Sequence, residues 1–334
     1  MKEKFIKGTK IILINGFSLF IFLIFVDRLI PLITKQKSGT ERYANIREHN
    51  PFSSYIVESD TTKVYINTDE NGFILGNIKP IIQGIDYIFL GGSTTECFYV
   101  DEDKRFPFLS IQLFNKLNNE KFYGFNAGFG GSNLYHSYII LITKLLDLKP
   151  KNIVLMNAVN DYSYLRNFGT YFKGGKSILN KNENSIYSIF KKSKDLLFPN
   201  LYRSLSSIFK ISQLGLIPGG PDILSKNEFS NEKNLIQYSK ALDLFIETCR
   251  IYNINLILMT QFNNLQNLSS KQLTEYRLFN QEIRRKANSK NLSLIDLDSL
   301  VPKNFETMYD GIHLTNKGSL LVSEIISDHL SSLK

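Results

Sequence analysis

A serine, an aspartate–histidine pair, a glycine-rich loop and an asparagine are the residues of this 334-residue chain best suited to chemistry. Ser93 stands in Ile88-Phe-Leu-Gly-Gly-Ser-Thr-Thr95, directly after a short apolar run. A serine hydroxyl is a weak nucleophile at neutral pH and needs a base beside it. Gly91 and Gly92 permit a tight turn, and a helix opening there offers free backbone N–H groups to a developing oxyanion. Taken alone, serine in such a turn is more often an ordinary helix cap than a nucleophile. Near the other end, Asp310-Gly-Ile-His313 puts a carboxylate three residues before an imidazole. In a loop, that spacing lets the carboxylate reach one ring nitrogen and fix the tautomer, leaving the other nitrogen as base for a hydroxyl. The other histidines, His49, His136 and His329, lack a carboxylate at that spacing and are assigned to surface or packing roles.

Two further segments offer donors to an oxyanion. Asn126-Ala-Gly-Phe-Gly-Gly-Ser-Asn133 exposes backbone N–H groups, and Asn160, in Asn157-Ala-Val-Asn-Asp161, carries a side-chain amide. Alone, each reads as well as a plain strand-to-helix turn or loop. Neither glycine turn fits a phosphate site. A dinucleotide fingerprint would need glycine at Asn133, and no Lys-Ser or Lys-Thr follows.

The elements that must hold these residues alternate. Buried strands are expected at Asp86–Leu90, Tyr123–Asn126, Asn152–Met156, Asn255–Met259 and Leu292–Asp296. Helical spacing fills Phe106–Leu117, Leu134–Leu146, Ile236–Ile251, Leu273–Lys290 and Asn316–Leu333. Such alternation predicts an α/β fold with a parallel sheet of about five strands covered on both faces. Ligands bind such sheets beyond the carboxyl ends of the strands, where Ser93, the glycine loop and Asn160 fall. Residues 162–235 break the alternation and are expected to be a helical insertion over that face, rich in Tyr162, Tyr164, Phe168, Tyr171, Phe172, Lys173, Lys191 and Lys192. Residues 35–85 read as a polar lead-in, with a strand from Lys63 and a turn at Asn71-Gly72.

The N-terminus carries Lys2, Lys4, Lys7 and Lys10 before an apolar run from Ile11 to Val26, which continues past Asp27 and Arg28 to Ile33. A helix over 11–33 would span about 30–35 Å. The expectation is a single-pass transmembrane anchor over residues 1–34, with a cytoplasmic N-terminus and an extracytoplasmic catalytic domain. A cleaved signal peptide is the alternative, although no small-x-small site follows the run.

Taken together and in this order, the four sites resemble the SGNH hydrolases, also called the GDSL esterase/lipase family. The match runs over roughly residues 60–334 through Ser93, Gly131, Asn160 and the pair Asp310/His313, with Gly128 as the alternative glycine. Asn67 through Gly72-Phe73, the Gly-Gly-Ser-Thr-Thr turn and Val100-Asp-Glu-Asp look like membrane-anchored bacterial envelope members. The resemblance implies a flavodoxin-like three-layer sandwich (the SGNH hydrolase fold) over residues 86–334. It also implies Ser93 as nucleophile, His313 as base, Asp310 as its orienting acid, Gly131 and Asn160 in the oxyanion hole, and no metal or organic cofactor. One position departs from the family pattern: the usual aspartate before the serine is Gly92 here.

The expected activity is hydrolysis of acyl esters, chiefly acetyl, on a cell-envelope or extracellular carbohydrate. A polysaccharide O-acyltransferase would use the same triad. A catalytically inactive glycan-binding scaffold and a lipase of long acyl chains are further alternatives. The net charge of +9 comes from scattered lysines without a phosphate-binding stripe, so no nucleic-acid partner is expected. Cys97 and Cys249 lack metal-ligand spacing and are read as small buried residues in helices, with a disulfide between them left open.

Overall fold

The computed structural model describes residues 2–34, 48–58, 63–76, 84–171, 231–264 and 268–334. The chain forms two units, one of residues 1–45 and 175–222, the other of residues 46–174 and 223–334. Of the first unit, one helix is described, α1 (Lys2–Thr34). It covers the whole expected span and exposes Ile14, Phe17, Ile21 and Phe25. Among the described residues, however, no helix is long and apolar enough to cross a membrane. The uninterrupted apolar stretch of α1, Leu19–Val26, lies between Ser18 and Asp27. It would cover about 12 Å of a hydrocarbon layer about 30 Å thick. The transmembrane expectation is corrected to that extent.

The second unit is built on a sheet of five parallel strands in the order β4-β3-β5-β6-β7. These are β3 (Tyr87–Gly91), β4 (Gly124–Asn126), β5 (Asn152–Met156), β6 (Asn255–Met259) and β7 (Ser293–Ile295). Counted within the sheet alone the order is 2-1-3-4-5, the flavodoxin-like winding, whose switch point lies between β3 and β5. The register pairs Ile88 with Ile153 and Ile153 with Leu256. Successive side chains leave opposite faces, so each strand feeds two cores. Ile88, Leu90, Ile153, Leu155, Leu256 and Leu258 pack on one face. There they meet α4 (Leu134–Ile140), α5 (Val159–Phe168), α6 (Ile236–Ile251) and α7 (Ser270–Ser289). Phe89, Val154, Met156, Ile257 and Met259 pack on the other, under α3 (Phe106–Asn118) and α8 (Asn316–Ser332). This is the three-layer α/β sandwich that the alternation predicts.

From residue 46 onward the lead-in belongs to this unit. Its hairpin, β1 (Ser54–Glu58) with β2 (Lys63–Asn67), is antiparallel. The turn after β2 is set by Asp69, whose Oδ1 accepts the N–H groups of Asn71 and Phe73 at 2.8 Å each. Gly72 sits there at φ +75°. Ile74 then bridges to Asn126 on the β4 edge. Most of the segment expected to be an insertion, residues 172–230, lies outside the described residues.

Candidate active site

Gly91 ends β3 because nothing larger fits: a Cβ there would lie 2.6 Å from the Met156 carbonyl and 2.2 Å from Thr95 Oγ1. Beyond Gly92 the chain turns into α2 (Ser93–Glu96), closed by Cys97 at φ +57°. In Gly91–Cys97, Ser93 alone is not buried. The sheet thus delivers one hydroxyl to the surface above the switch point.

The histidine arrives from the opposite end of the chain. Met308 and Leu314 form an antiparallel bridge, and Tyr309 N–H donates to the His313 carbonyl at 2.8 Å. Inside that loop, Asp310 Oδ1 accepts the N–H groups of Ile312 and His313, both at 2.8 Å. Its second oxygen, Oδ2, faces His313 Nδ1 at 2.6 Å. The other ring nitrogen, Nε2, faces Ser93 Oγ at 2.8 Å. A carboxylate on Nδ1 places the proton there, which leaves the Nε2 lone pair toward the serine hydroxyl. Burial pushes the Asp310 carboxyl up, but the His313 bond and charge and the two backbone N–H groups outweigh it and hold Asp310 below its ordinary value. It is therefore ionised at neutral pH. Tyr99 meets the imidazole edge-on, with centroids 5.2 Å apart, and stacks on Tyr309 at 4.2 Å.

The glycine loop separates its two candidate glycines. Gly128 is buried, and a Cβ on it would meet the backbone of α2 at Glu96 N, 2.4 Å away. Its N–H is taken by Asn126 Oδ1 at 2.9 Å. Gly128 therefore lets the loop press against α2. Gly131 is exposed, at φ +73° in the turn before Ser132. Of the two, Gly131 is the exposed one and the one with a left-handed φ.

Asn160, in the first turn of α5, donates from Nδ2 to the Ser132 carbonyl at 2.8 Å. A Cβ on Gly92 would lie only 2.4 Å from that nitrogen. The asparagine amide thus occupies the space next to Gly92, one residue before Ser93. An amide nitrogen carries two hydrogens, and the Ser132 bond uses one. The missing side chain at Gly92 leaves that volume to Asn160.

The sequence expectation therefore brings Ser93, His313 and Asp310 into one hydrogen-bonded line and places Asn160 beside the nucleophile turn. The other histidines lie elsewhere. His49 is buried, 3.2 Å from Glu96 of α2 and with its ring against Phe129. His136 closes a capping box with Asn133, and His329 contacts Ser293. Both cysteines are free and buried, and burial pushes each thiol up to about 12. Cys97 is not helical but caps α2 in the left-handed region. Residues that spacing alone did not reveal are Thr94, Tyr99, Gln261 and Tyr309. The last strand-end among them, Thr260-Gln261, obeys the rule that polar residues after a parallel strand merit inspection.

No protein-family model matches the sequence, and no curated protein matches it. Solved structures with a similar course of chain include a GDSL-like lipase from Parabacteroides merdae. It has 13% identity and a TM-score of 0.47, covering 76% of this chain and 100% of that one. The acetyl xylan esterase AlAXEase is 20% identical with a TM-score of 0.46, covering 75% and 99%. Axe2, an acetylxylan esterase from Geobacillus stearothermophilus, is 13% identical with a TM-score of 0.48, covering 74% and 94%. Likeness at this level transfers neither substrate nor mechanism, so the functional reading rests on the geometry of the site.

Proposed function

We propose that this chain is a serine esterase that cleaves O-acyl, principally acetyl, esters of a carbohydrate through an acyl-enzyme. The observation that carries the reading is the unbroken line Asp310 Oδ2–His313 Nδ1 at 2.6 Å and His313 Nε2–Ser93 Oγ at 2.8 Å. His313 takes the Ser93 proton as Oγ attacks the ester carbonyl. Asp310, held ionised, stabilises the imidazolium and keeps the ring oriented. The developing oxyanion receives N–H groups from Ser93 and Gly131 and the second amide hydrogen of Asn160. Collapse expels the alcohol, which His313 protonates. A water then repeats the sequence on the acyl-enzyme, releasing the carboxylic acid and restoring Ser93.

Aromatic rings cluster on the two helices that follow the glycine loop and the Asn157–Asp161 segment. Tyr135 of α4 and Tyr164 of α5 are half-buried, and each stacks against Tyr171 at about 6 Å. We further infer that the catalytic unit works outside the cytoplasm, with the lysine-led, phenylalanine-rich α1 lying against the membrane surface and not across it. Cell fractionation with protease protection tests the location. Recovery of the full-length chain in the soluble cytoplasmic fraction removes it. Nitrophenyl esters of rising chain length and acetylated oligosaccharides test the substrate. Acetyl turnover that falls steeply beyond short acyl chains is expected, and a preference for long chains overturns the acetyl assignment.

A further inference from the structure

Gln261 lies just beyond β6, buried at 3% exposure, and its carboxamide is used at both ends. Oε1 accepts the N–H groups of Ala158 at 3.1 Å and Val159 at 2.9 Å. Nε2 donates to Thr94 Oγ1 at 3.0 Å. The Thr94 hydroxyl passes its own proton to the carbonyl of Ile312 at 3.0 Å. Val159 precedes Asn160, Thr94 follows Ser93, and Ile312 precedes His313. One side chain is therefore tied, directly or through one hydroxyl, to the chain neighbour of each of the three groups.

Gln261 is itself clamped. Its N–H donates to Asn280 Oδ1 at 3.0 Å, and its carbonyl accepts Asn280 Nδ2 at 2.8 Å and the Tyr276 hydroxyl at 2.6 Å. Asn280 and Tyr276 are fully buried on α7. A packing role alone would be filled by an apolar side chain of similar volume. A buried carboxamide with every polar atom matched is costly to replace, because its loss strands two N–H groups and takes one partner from the Thr94 hydroxyl.

The geometry points to Gln261 as a positioning residue that sets the mutual register of Ser93, His313 and Asn160. This inference rests on the esterase reading of the site. The carboxamide has a directional logic. Gln261→Glu keeps an oxygen for Ala158 and Val159 but loses the donor to Thr94. The Thr94 hydroxyl then turns its proton to the new carboxylate and releases Ile312, so the His313 loop loosens while the Asn160 loop stays tied. Gln261→Met releases the Asn160 loop and unties Thr94 from β6, while the Thr94–Ile312 bond stands. Thr94→Val cuts the same Ile312 tie, takes the acceptor from Gln261 Nε2 and leaves both Oε1 bonds in place.

The experiment uses the full-length chain and its Gln261→Glu, Gln261→Met and Thr94→Val variants. Three readouts are followed: thermal unfolding, kcat and KM on a nitrophenyl acetate, and the low-field proton resonance of the His313–Asp310 hydrogen bond. Gln261→Glu and Thr94→Val are expected to lower kcat by about 10- to 100-fold with KM nearly unchanged, and to shift or broaden the resonance alike. Gln261→Met is expected to lower kcat by a similar factor through the Asn160 loop, with the resonance little moved. The proposal is overturned if folded Gln261→Glu and Thr94→Val both keep the parent kcat and an unmoved resonance. The resonance separates the two layers of the argument. A parent protein with no turnover removes the esterase reading, while a resonance that still moves in Gln261→Glu upholds the positioning role of the residue. If Gln261→Met does not fold, Thr94→Val and Gln261→Glu carry the comparison.

Discussion

Filling position 92 should disable the site without unfolding the protein. Gly92 has φ −87° and ψ −157°, which alanine adopts without strain, so only space opposes the change. In Gly92→Ala the new methyl would start 2.4 Å from Asn160 Nδ2 and 3.2 Å from the Ser132 carbonyl. The asparagine amide is the end of a side chain and yields before the backbone does. It must leave Ser132, giving up the 2.8 Å bond. Stability then falls by about 1 kcal/mol, the net value of one neutral hydrogen bond. The loss in rate is far larger. If Asn160 is an oxyanion donor, displacing it costs about 2.7–4 kcal/mol of transition-state stabilisation, or roughly 10²–10³ in kcat. Asn160→Ala should cost the same, and Gly92→Ala placed on top of it should be nearly silent. Steady-state kcat on a nitrophenyl acetate for the two single variants and the double, with urea midpoints, gives the cycle. Full additivity of the two losses, within about twofold, refutes the reasoning, as does Gly92→Ala with unchanged kcat.

Two more predictions follow from buried groups. Asp161 is fully buried, accepts from Tyr171 at 2.5 Å and from Leu134 N–H at 2.9 Å, and is pushed up to about 7 by burial. The native state therefore holds this proton over a range where the unfolded chain, with a carboxyl near 3.8, has lost it. Stability from this group is fully present below about pH 4 and is lost as pH rises toward 7, by on the order of 4 kcal/mol. Urea midpoints between pH 5 and 8 should fall more steeply for the parent than for Asp161→Asn, and parallel curves would contradict the shift. Gly128→Ala drives a methyl to 2.4 Å from Glu96 N, a backbone contact that cannot swing away. It should cost about 1–3 kcal/mol and lower kcat by displacing α2, whereas parent-like melting and kinetics would contradict the close approach.

The strands were legible because each is a short apolar run ended by a glycine or a polar residue. β3, β5 and β6 begin within a residue of the expected positions. The fifth stops at Ile295 instead of Asp296, because Asp296 turns out to hold Arg284 and Thr260. Asp310 and His313 were legible because three residues of loop suffice to fold a carboxylate onto its own ring. Ser93 needed the whole fold, since 220 residues separate it from His313. Gln261 was hidden for a different reason. A glutamine after a strand has no spacing signature, and its value lies in three contacts made 102 to 167 residues away. His49 has the packing role expected of it, but its neighbours Phe129 and Glu96 are distant in sequence and adjacent only in the fold.

The central claim is that Ser93 is a nucleophile activated by His313 and Asp310. The most direct measurement is covalent labelling of the full-length chain with a fluorophosphonate, read by intact mass, beside Ser93→Ala and alongside release of acetate from an acetyl ester. The account predicts one adduct on the parent protein, located on Ser93 by peptide mapping, with acetate release that disappears together with the adduct in the folded Ser93→Ala variant. A folded parent protein that takes no label and releases no acetate, or an adduct that survives Ser93→Ala, would contradict it.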